Sequence, residues 1–301
     1  MDAHRTVPPV QPVPSTDGVT VAVHDLGGES GAPVLLLSHA TGFHGLAFGP
    51  MARSGLTEPY HCIAPDLRGH GDSVVPSDLD YDWRGFADDV LAVLEHLDEA
   101  RRSGDGATGG PVFGFGHSMG GAALLMAEAS RPGSFAGLFL FEPIVPPPGT
   151  FMRPEGGDNP LAAGAERRRE VFDSFEAAYE NYASKPPLSV FRPDALRAYV
   201  EGGFAPQPDG TVLLKCRGRV EAQTFRMAAS NGMYERLKDI ACPVTIAVGV
   251  DQPLAPSAFA PAIVDGLPHG HLVGLDPLGH FGPMEDPETV ARAVLEAFGR
   301  A

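Results

Sequence analysis

A strand that turns into a helix within five residues leaves a chain few folds to choose from, and residues 111–131 predict such a turn. Pro111-Val112-Phe113-Gly114-Phe115 reads as a strand, and residues 119–131 as a helix of small side chains. Between them lies Gly116-His117-Ser118-Met119-Gly120, a G-x-S-x-G pattern in the strand–turn–helix context that the pattern requires. The physical reason is crowding. A sharp, strained turn pushes the Ser118 hydroxyl outward, and glycines two residues to either side let strand and helix approach. Gly121, Ala122 and Ala123 keep the helix thin where it crosses the sheet. The competing reading is a glycine-rich turn without chemistry, against which the flanking strand and helix argue. Neither G-x-G-x-x-G nor a GK[ST] ending occurs here, so a nucleotide-binding loop is not indicated.

The same alternation runs through most of the chain. Val34-Leu35-Leu36-Leu37-Ser38 is a continuous apolar run, as in a strand buried on both faces. Further strands are predicted over 61–64, 138–141, 244–248 and 271–275, and an early, antiparallel one over 19–26. Phe86, Val90, Val93, Leu94 and Leu97 recur at helical spacing within 86–100, and helices are also predicted over 257–267 and 287–298. Strands alternating with helices imply a parallel sheet wrapped by helices. The rhythm breaks at 143–241, which opens on Pro146-Pro147-Pro148 and holds helical pieces at 166–183 and 193–201. The predicted organisation is therefore an irregular proline-rich arm over 1–15, an α/β core over 16–142 and 242–301, and an inserted, mainly helical cap over 143–241.

Composition limits the partners. A net charge of −16 argues against nucleic acid or an anionic membrane as the main partner and leaves a small-molecule substrate. Cys62, Cys216 and Cys242 are too sparse for a disulfide framework and lack zinc-ligand spacing. No signal-peptide pattern and no long apolar run is evident, so no membrane span is expected and a cytoplasmic location is the default. No metal constellation or cofactor loop stands out, so none is expected.

A hydroxyl presented at the carboxyl ends of the strands needs a base that meets it there. Leu278-Gly279-His280-Phe281-Gly282-Pro283 lies between the last strand and the last helix, and among the 11 histidines only His280 combines that loop with the order Ser…acid…His. The plainer alternative is a solvated loop histidine. His39-Ala40-Thr41-Gly42 follows the first buried strand, where a turn can aim a backbone N–H at a developing oxyanion. Thr41 is the candidate for that donor, and Met119, just after the nucleophile, for the second.

These motifs resemble the α/β-hydrolase superfamily, on the branch with esterases, haloperoxidase-like enzymes and capped hydrolases. The resemblance rests on Ser38-His39-Ala40-Thr41-Gly42, Asp66-Leu67-Arg68-Gly69-His70-Gly71-Asp72-Ser73, Gly116-His117-Ser118-Met119-Gly120-Gly121 and Gly279-His280-Phe281. It implies an α/β-hydrolase fold and a Ser118–acid–His280 triad. Relatives usually carry the acid after the strand that follows the insertion, in a pattern like G-x-x-D-P-x-x-P. Here that stretch reads Gly249-Val250-Asp251-Gln252-Pro253-Leu254-Ala255-Pro256, with Gln252 at the expected position and the carboxylate one residue early, at Asp251. Some relatives place a glutamate after the strand next to the nucleophile strand, and Glu142 stands there. Glu142 is the favoured acid and Asp251 the alternative.

The resemblance implies cleavage of a carboxylic ester, thioester or lactone through an acyl-enzyme on Ser118. Hydrolysis of a C–C bond or amide, perhydrolysis, and a non-catalytic binding module on the same fold are the competing readings. Aromatic and methionine side chains in 143–241 suggest an apolar acyl group. Arg167-Arg168-Arg169 reads most simply as a solvated face, with anion binding as the alternative.

Overall fold

The computed structural model describes residues 10–104, 110–150, 159–228, 231–250 and 255–299. Eight strands form one sheet: β1 (Gln11–Pro14), β2 (Thr20–Gly27), β3 (Val34–Ser38), β4 (His61–Asp66), β5 (Val112–His117), β6 (Gly137–Phe141), β10 (Val244–Val248) and β11 (Gly270–Gly274). Their order is β1-β2-β4-β3-β5-β6-β10-β11. The β1–β2 and β2–β4 pairs are antiparallel, and every pair from β4 onward is parallel. β7 (Val171–Phe172), β8 (Phe204–Pro206) and β9 (Val212–Leu214) make a separate antiparallel sheet inside the inserted segment.

Side chains alternate across the large sheet and build two cores. Val34 and Leu36 of β3 and Leu138 and Leu140 of β6 face one way, toward the helices Trp83–Ser103 and Met119–Ser130. Leu35, Leu37, Phe139 and Phe141 face the other way, toward the helix Pro287–Phe298. Phe172, Tyr182, Phe191, Tyr199 and Phe204 of the inserted segment join that second core. Helix ends follow from local chemistry. The Asp82 carboxylate accepts from the Arg84 N–H at the start of Trp83–Ser103, and Gly104 ends that helix in the left-handed region. Asp286 caps the last helix by accepting from the Thr289 N–H, with Pro287 at its first position.

Three features depart from the sequence reading. The proline-rich arm contains β1, an edge strand in which Pro12 and Pro14 are tolerated and Val13 is buried against β2. The helix expected over 166–183 is two helices, Pro160–Glu166 and Phe175–Ala183, with β7 between them. Helices make up most of the described inserted segment, but the small three-stranded sheet has no counterpart in the sequence pattern. All three cysteines are buried free thiols. No helix among the described residues is long and apolar enough to cross a membrane.

The Arg68 turn is anchored by a buried ion pair. The Arg68 guanidinium donates to Asp89 through Nη2 (2.9 Å) and Nε (3.1 Å), and the Arg68 N–H donates to the same carboxylate at 2.8 Å. Ser15 donates a further bond to Asp89 at 2.7 Å. Arg68 also reaches Asp17 (2.9 Å) and the Thr16 hydroxyl (2.9 Å), so a loop, an edge turn and the first long helix share one network that runs from the interior to the surface.

Candidate active site

Ser118 stands between β5 and the helix Met119–Ser130 with φ 55° and ψ −115°, a strained backbone for a side chain with a Cβ. Its N–H donates to the Phe141 carbonyl at 3.0 Å, and its carbonyl accepts from Ile144 at 3.2 Å, which ties the elbow to the end of β6. The glycines are required by approach. A Cβ at Gly120 would run into the Ser38 carbonyl, and one at Gly116 into the backbone of Gly120 and Gly121. Among the described residues nothing accepts or donates a hydrogen bond at the Ser118 hydroxyl.

Glu142 follows β6 with φ 45°, a second strained non-glycine residue. Its N–H donates to Ala247 at 2.9 Å, so its backbone is held by β10. Its buried carboxylate accepts from the Gly249 N–H at 3.1 Å through Oε1 and from His280 Nδ1–H at 2.6 Å through Oε2. That second bond puts the His280 proton on Nδ1 and leaves Nε2 as the basic nitrogen. The His280 loop is braced from below. Its carbonyl accepts from His117 Nε2–H at 2.8 Å, and the Gly279 N–H donates to Glu285 at 3.0 Å. Burial, reinforced by His280 close by, holds the His117 pKa well below the ordinary histidine range, so that ring is a neutral donor. Asp251 and Gln252 lie outside the described residues.

Thr41 sits in a turn closed by the Phe43 N–H donating to the Ala40 carbonyl at 3.1 Å. That carbonyl also accepts from His39 Nδ1–H at 2.8 Å, and His39 Nε2 accepts from the Leu67 N–H at 2.9 Å. Because a trans peptide is planar, pinning the Ala40 carbonyl also fixes the Thr41 N–H, which lies in the same plane and points the opposite way. The Thr41 hydroxyl meets the Met119 sulfur at 3.3 Å, so the two candidate oxyanion residues are in contact.

Burial lowers His39 from 6.5 to about 3 and His44, two residues beyond Gly42, to about 4. Both are neutral in the fold, whereas in the unfolded chain each takes up a proton below 6.5. Their contribution to stability is complete above pH 6.5 and drains away as pH falls through about 4 and then about 3. The expected result is a urea midpoint that drops steeply below pH 6.5 while the active-site backbone is still native at pH 7. A midpoint that stays level from pH 6.5 to 4 would rule this out.

His117 and Glu221 have no role assigned from the sequence, Tyr182 and Tyr199 figure there only among the aromatic side chains of 143–241, and Arg168 is not on a solvated face. The Arg168 guanidinium is largely buried and donates to Glu221 at 2.7 Å, to Tyr182 at 3.2 Å, and to the Tyr199 hydroxyl. Burial works against that charge, but Tyr199, Glu221 and Tyr182 more than offset it and push the Arg168 pKa well above the usual value. An isolated arginine in a polar triplet gives no sign of this, because its partners lie on other elements. Phe43 packs on Tyr199 (4.9 Å between centroids) and on Phe281 (6.0 Å), which links the Thr41 turn, the inserted segment and the His280 loop.

His24, Asp66 and Asp72 bring three possible metal-ligand atoms together. Those atoms are already committed. Asp66 accepts from His24 (2.8 Å), Gly45 (2.7 Å) and Asp72 N–H (2.7 Å), and the Asp72 carboxylate pairs with Lys215 at 2.6 Å. The cluster reads as a brace for the turn that follows β4.

Comparison with known proteins bears on the fold and the family. A human protein named monoglyceride lipase is 36% identical over 112 residues, which is 37% of this chain and 35% of that protein. The chain thus spans about a third of the length of that relative. The bifunctional esterase/perhydrolase of Acinetobacter calcoaceticus is 25% identical over 296 residues, 94% of this chain and 97% of that one. Among solved structures, E-2-(acetamidomethylene)succinate hydrolase superposes with a TM-score of 0.76 at 21% identity, covering 97% of this chain and 99% of that one. The sequence model of the alpha/beta hydrolase family matches residues 34–293, from the start of β3 into the last helix. That match takes in the elbow, Glu142 and His280 together, and the chain belongs to the alpha/beta hydrolase family.

Proposed function

We propose that the chain is a serine hydrolase that cleaves a carboxylic ester, thioester or lactone through an acyl-enzyme on Ser118. The observation that carries this reading is the 2.6 Å bond from His280 Nδ1–H to the buried Glu142 carboxylate, with Ser118 in a strained elbow whose N–H bonds the carbonyl of Phe141, the residue before Glu142. In this reading the Ser118 oxygen attacks the substrate carbonyl while His280 Nε2 takes the hydroxyl proton. Glu142 stabilises the resulting imidazolium. The N–H groups of Thr41 and Met119 stabilise the oxyanion, each worth about 10² to 10³ in rate. His280 then passes its proton to the leaving group, and water attacks the acyl-enzyme by the same route in reverse. Residues 143–241 act as the cap over the site and carry the aromatic side chains that would hold an apolar acyl group. The name of the Acinetobacter calcoaceticus relative supports perhydrolysis as a second reading on the same residues.

The test is hydrolysis of short p-nitrophenyl esters by the purified protein, with Ser118→Ala beside it. Turnover that vanishes in Ser118→Ala is expected, together with burst release of one nitrophenolate per Ser118. Equal rates in the two proteins would defeat the proposal.

A further inference from the structure

The turn that carries Thr41 is gripped from the inserted segment. Three of its elements converge on Gly42. Tyr199, in the helix Pro193–Gly203, donates its hydroxyl to the Gly42 carbonyl at 3.2 Å. Glu221, in the first turn of the helix Gly218–Met227, lies so close that a Cβ on Gly42 would stand 2.6 Å from its Oε1. Arg168, just past the helix Pro160–Glu166, binds both of them and is 3.4 Å from that same Cβ position. Gly42 has φ 80°, so its backbone and its surroundings both exclude a side chain.

Tyr199 is the post against which the whole turn rests. It bonds the Gly42 carbonyl, packs on the Phe43 ring, and stacks on His44 with centroids 6.0 Å apart. Its own carbonyl accepts from His44 Nε2–H at 2.9 Å. The hydrogen bonds run in one direction, from guanidinium to phenol to carbonyl, so each polarises the next. Burial raises the Tyr199 pKa above its ordinary value and keeps the phenol a donor. Glu221 compensates the charge of Arg168 and holds its fork in one orientation.

We propose that Arg168 is a positioning residue for the oxyanion turn: acting through Tyr199 and Glu221, it locks Gly42 and thereby aims the Thr41 N–H at the reacting carbonyl oxygen. This rests on the serine-hydrolase reading above. It makes the docking of the inserted segment and the assembly of the oxyanion donors a single event. Arg168 itself touches no reacting atom.

The experiment measures kcat and KM for p-nitrophenyl acetate, with thermal midpoints, in the full chain and in Ser118→Ala, Tyr199→Phe, Arg168→Met and the Tyr199→Phe/Arg168→Met double variant. Removing one oxyanion donor outright costs about 10² to 10³ in rate, so a donor that is present but badly aimed should cost about 10-fold to 100-fold in kcat. Tyr199→Phe keeps the ring and its packing, and is expected to show that loss with KM changed less than about threefold and a midpoint near wild type. The double variant is expected to be no slower than Arg168→Met alone, because both changes break one path. If Arg168→Met fails to fold, Tyr199→Phe still decides. Wild-type kcat in Tyr199→Phe, or losses that simply multiply in the double variant, would overturn the proposal. Equal hydrolysis by wild type and Ser118→Ala would instead overturn the nucleophile reading, and this proposal with it.

Discussion

Glu142→Gln is expected to lower kcat by about 10⁴-fold with little change in KM. The size follows from two bonds that the carboxylate makes at once, to the Gly249 N–H and to His280 Nδ1–H. An amide at this position would turn its oxygen to the Gly249 N–H and so face His280 with its NH₂. The ring would then carry its lone pair on Nδ1 and its proton on Nε2, which removes the base from the side that needs it. The neutral amide would also leave the imidazolium without its counter-charge. Asp251→Asn is expected to change kcat by less than about tenfold, since the His280 bond belongs to Glu142. Steady-state kinetics on the two variants decides the matter. A large loss in Asp251→Asn beside a near-normal Glu142→Gln would transfer the role to Asp251.

The largest expected effect on stability comes from Asp89→Ala, at about 3–5 kcal/mol. Arg68 and Asp89 are both buried, at 1% and 0% exposure, so the substitution leaves a guanidinium out of water without its main partner. It also orphans the Arg68 N–H and the Ser15 hydroxyl. Asp17 remains, but it is 60% exposed and holds Arg68 only from the surface. Asp17→Ala is therefore expected to cost less than about 1 kcal/mol. Urea unfolding of the two variants at one pH separates them. Equal losses would mean that water reaches the Arg68 site.

The parts of the fold that were legible in the sequence are those whose cause is local. Val34-Leu35-Leu36-Leu37-Ser38 is apolar without a break because both faces of β3 meet helices. The Ser118 elbow could be read because its glycines answer to neighbours only a few residues away. Glu142 is favoured because some relatives place a glutamate after the strand next to the nucleophile strand, and in the fold it ends the apolar run of β6, where a carboxylate demands a buried partner. Its partner lies 138 residues further on, and order along the chain, rather than local pattern, pointed to His280. What escaped was decided at a distance. β1 hides among prolines because only its pairing with β2 makes it a strand. β7, β8 and β9 are too short to show alternation. Arg168 looks like any surface arginine until Glu221, 53 residues away, and two tyrosines from other helices close around it.

β6 and β10 lie side by side and parallel, so the chain between them is the crossover itself rather than an outgrowth from a hairpin. It must leave one end of the sheet and return to the other whatever its length. The entropy of closing such a connection grows only with the logarithm of its length, and doubling it costs about 0.6 kcal/mol. The distance between Glu142 and His280 is set by strands β6, β10 and β11 and does not depend on how long the connection is. Evolution can therefore lengthen, shorten or redraw this stretch while Glu142 and His280 keep their spacing. Only the few side chains that clasp Gly42 would have to be reinvented each time.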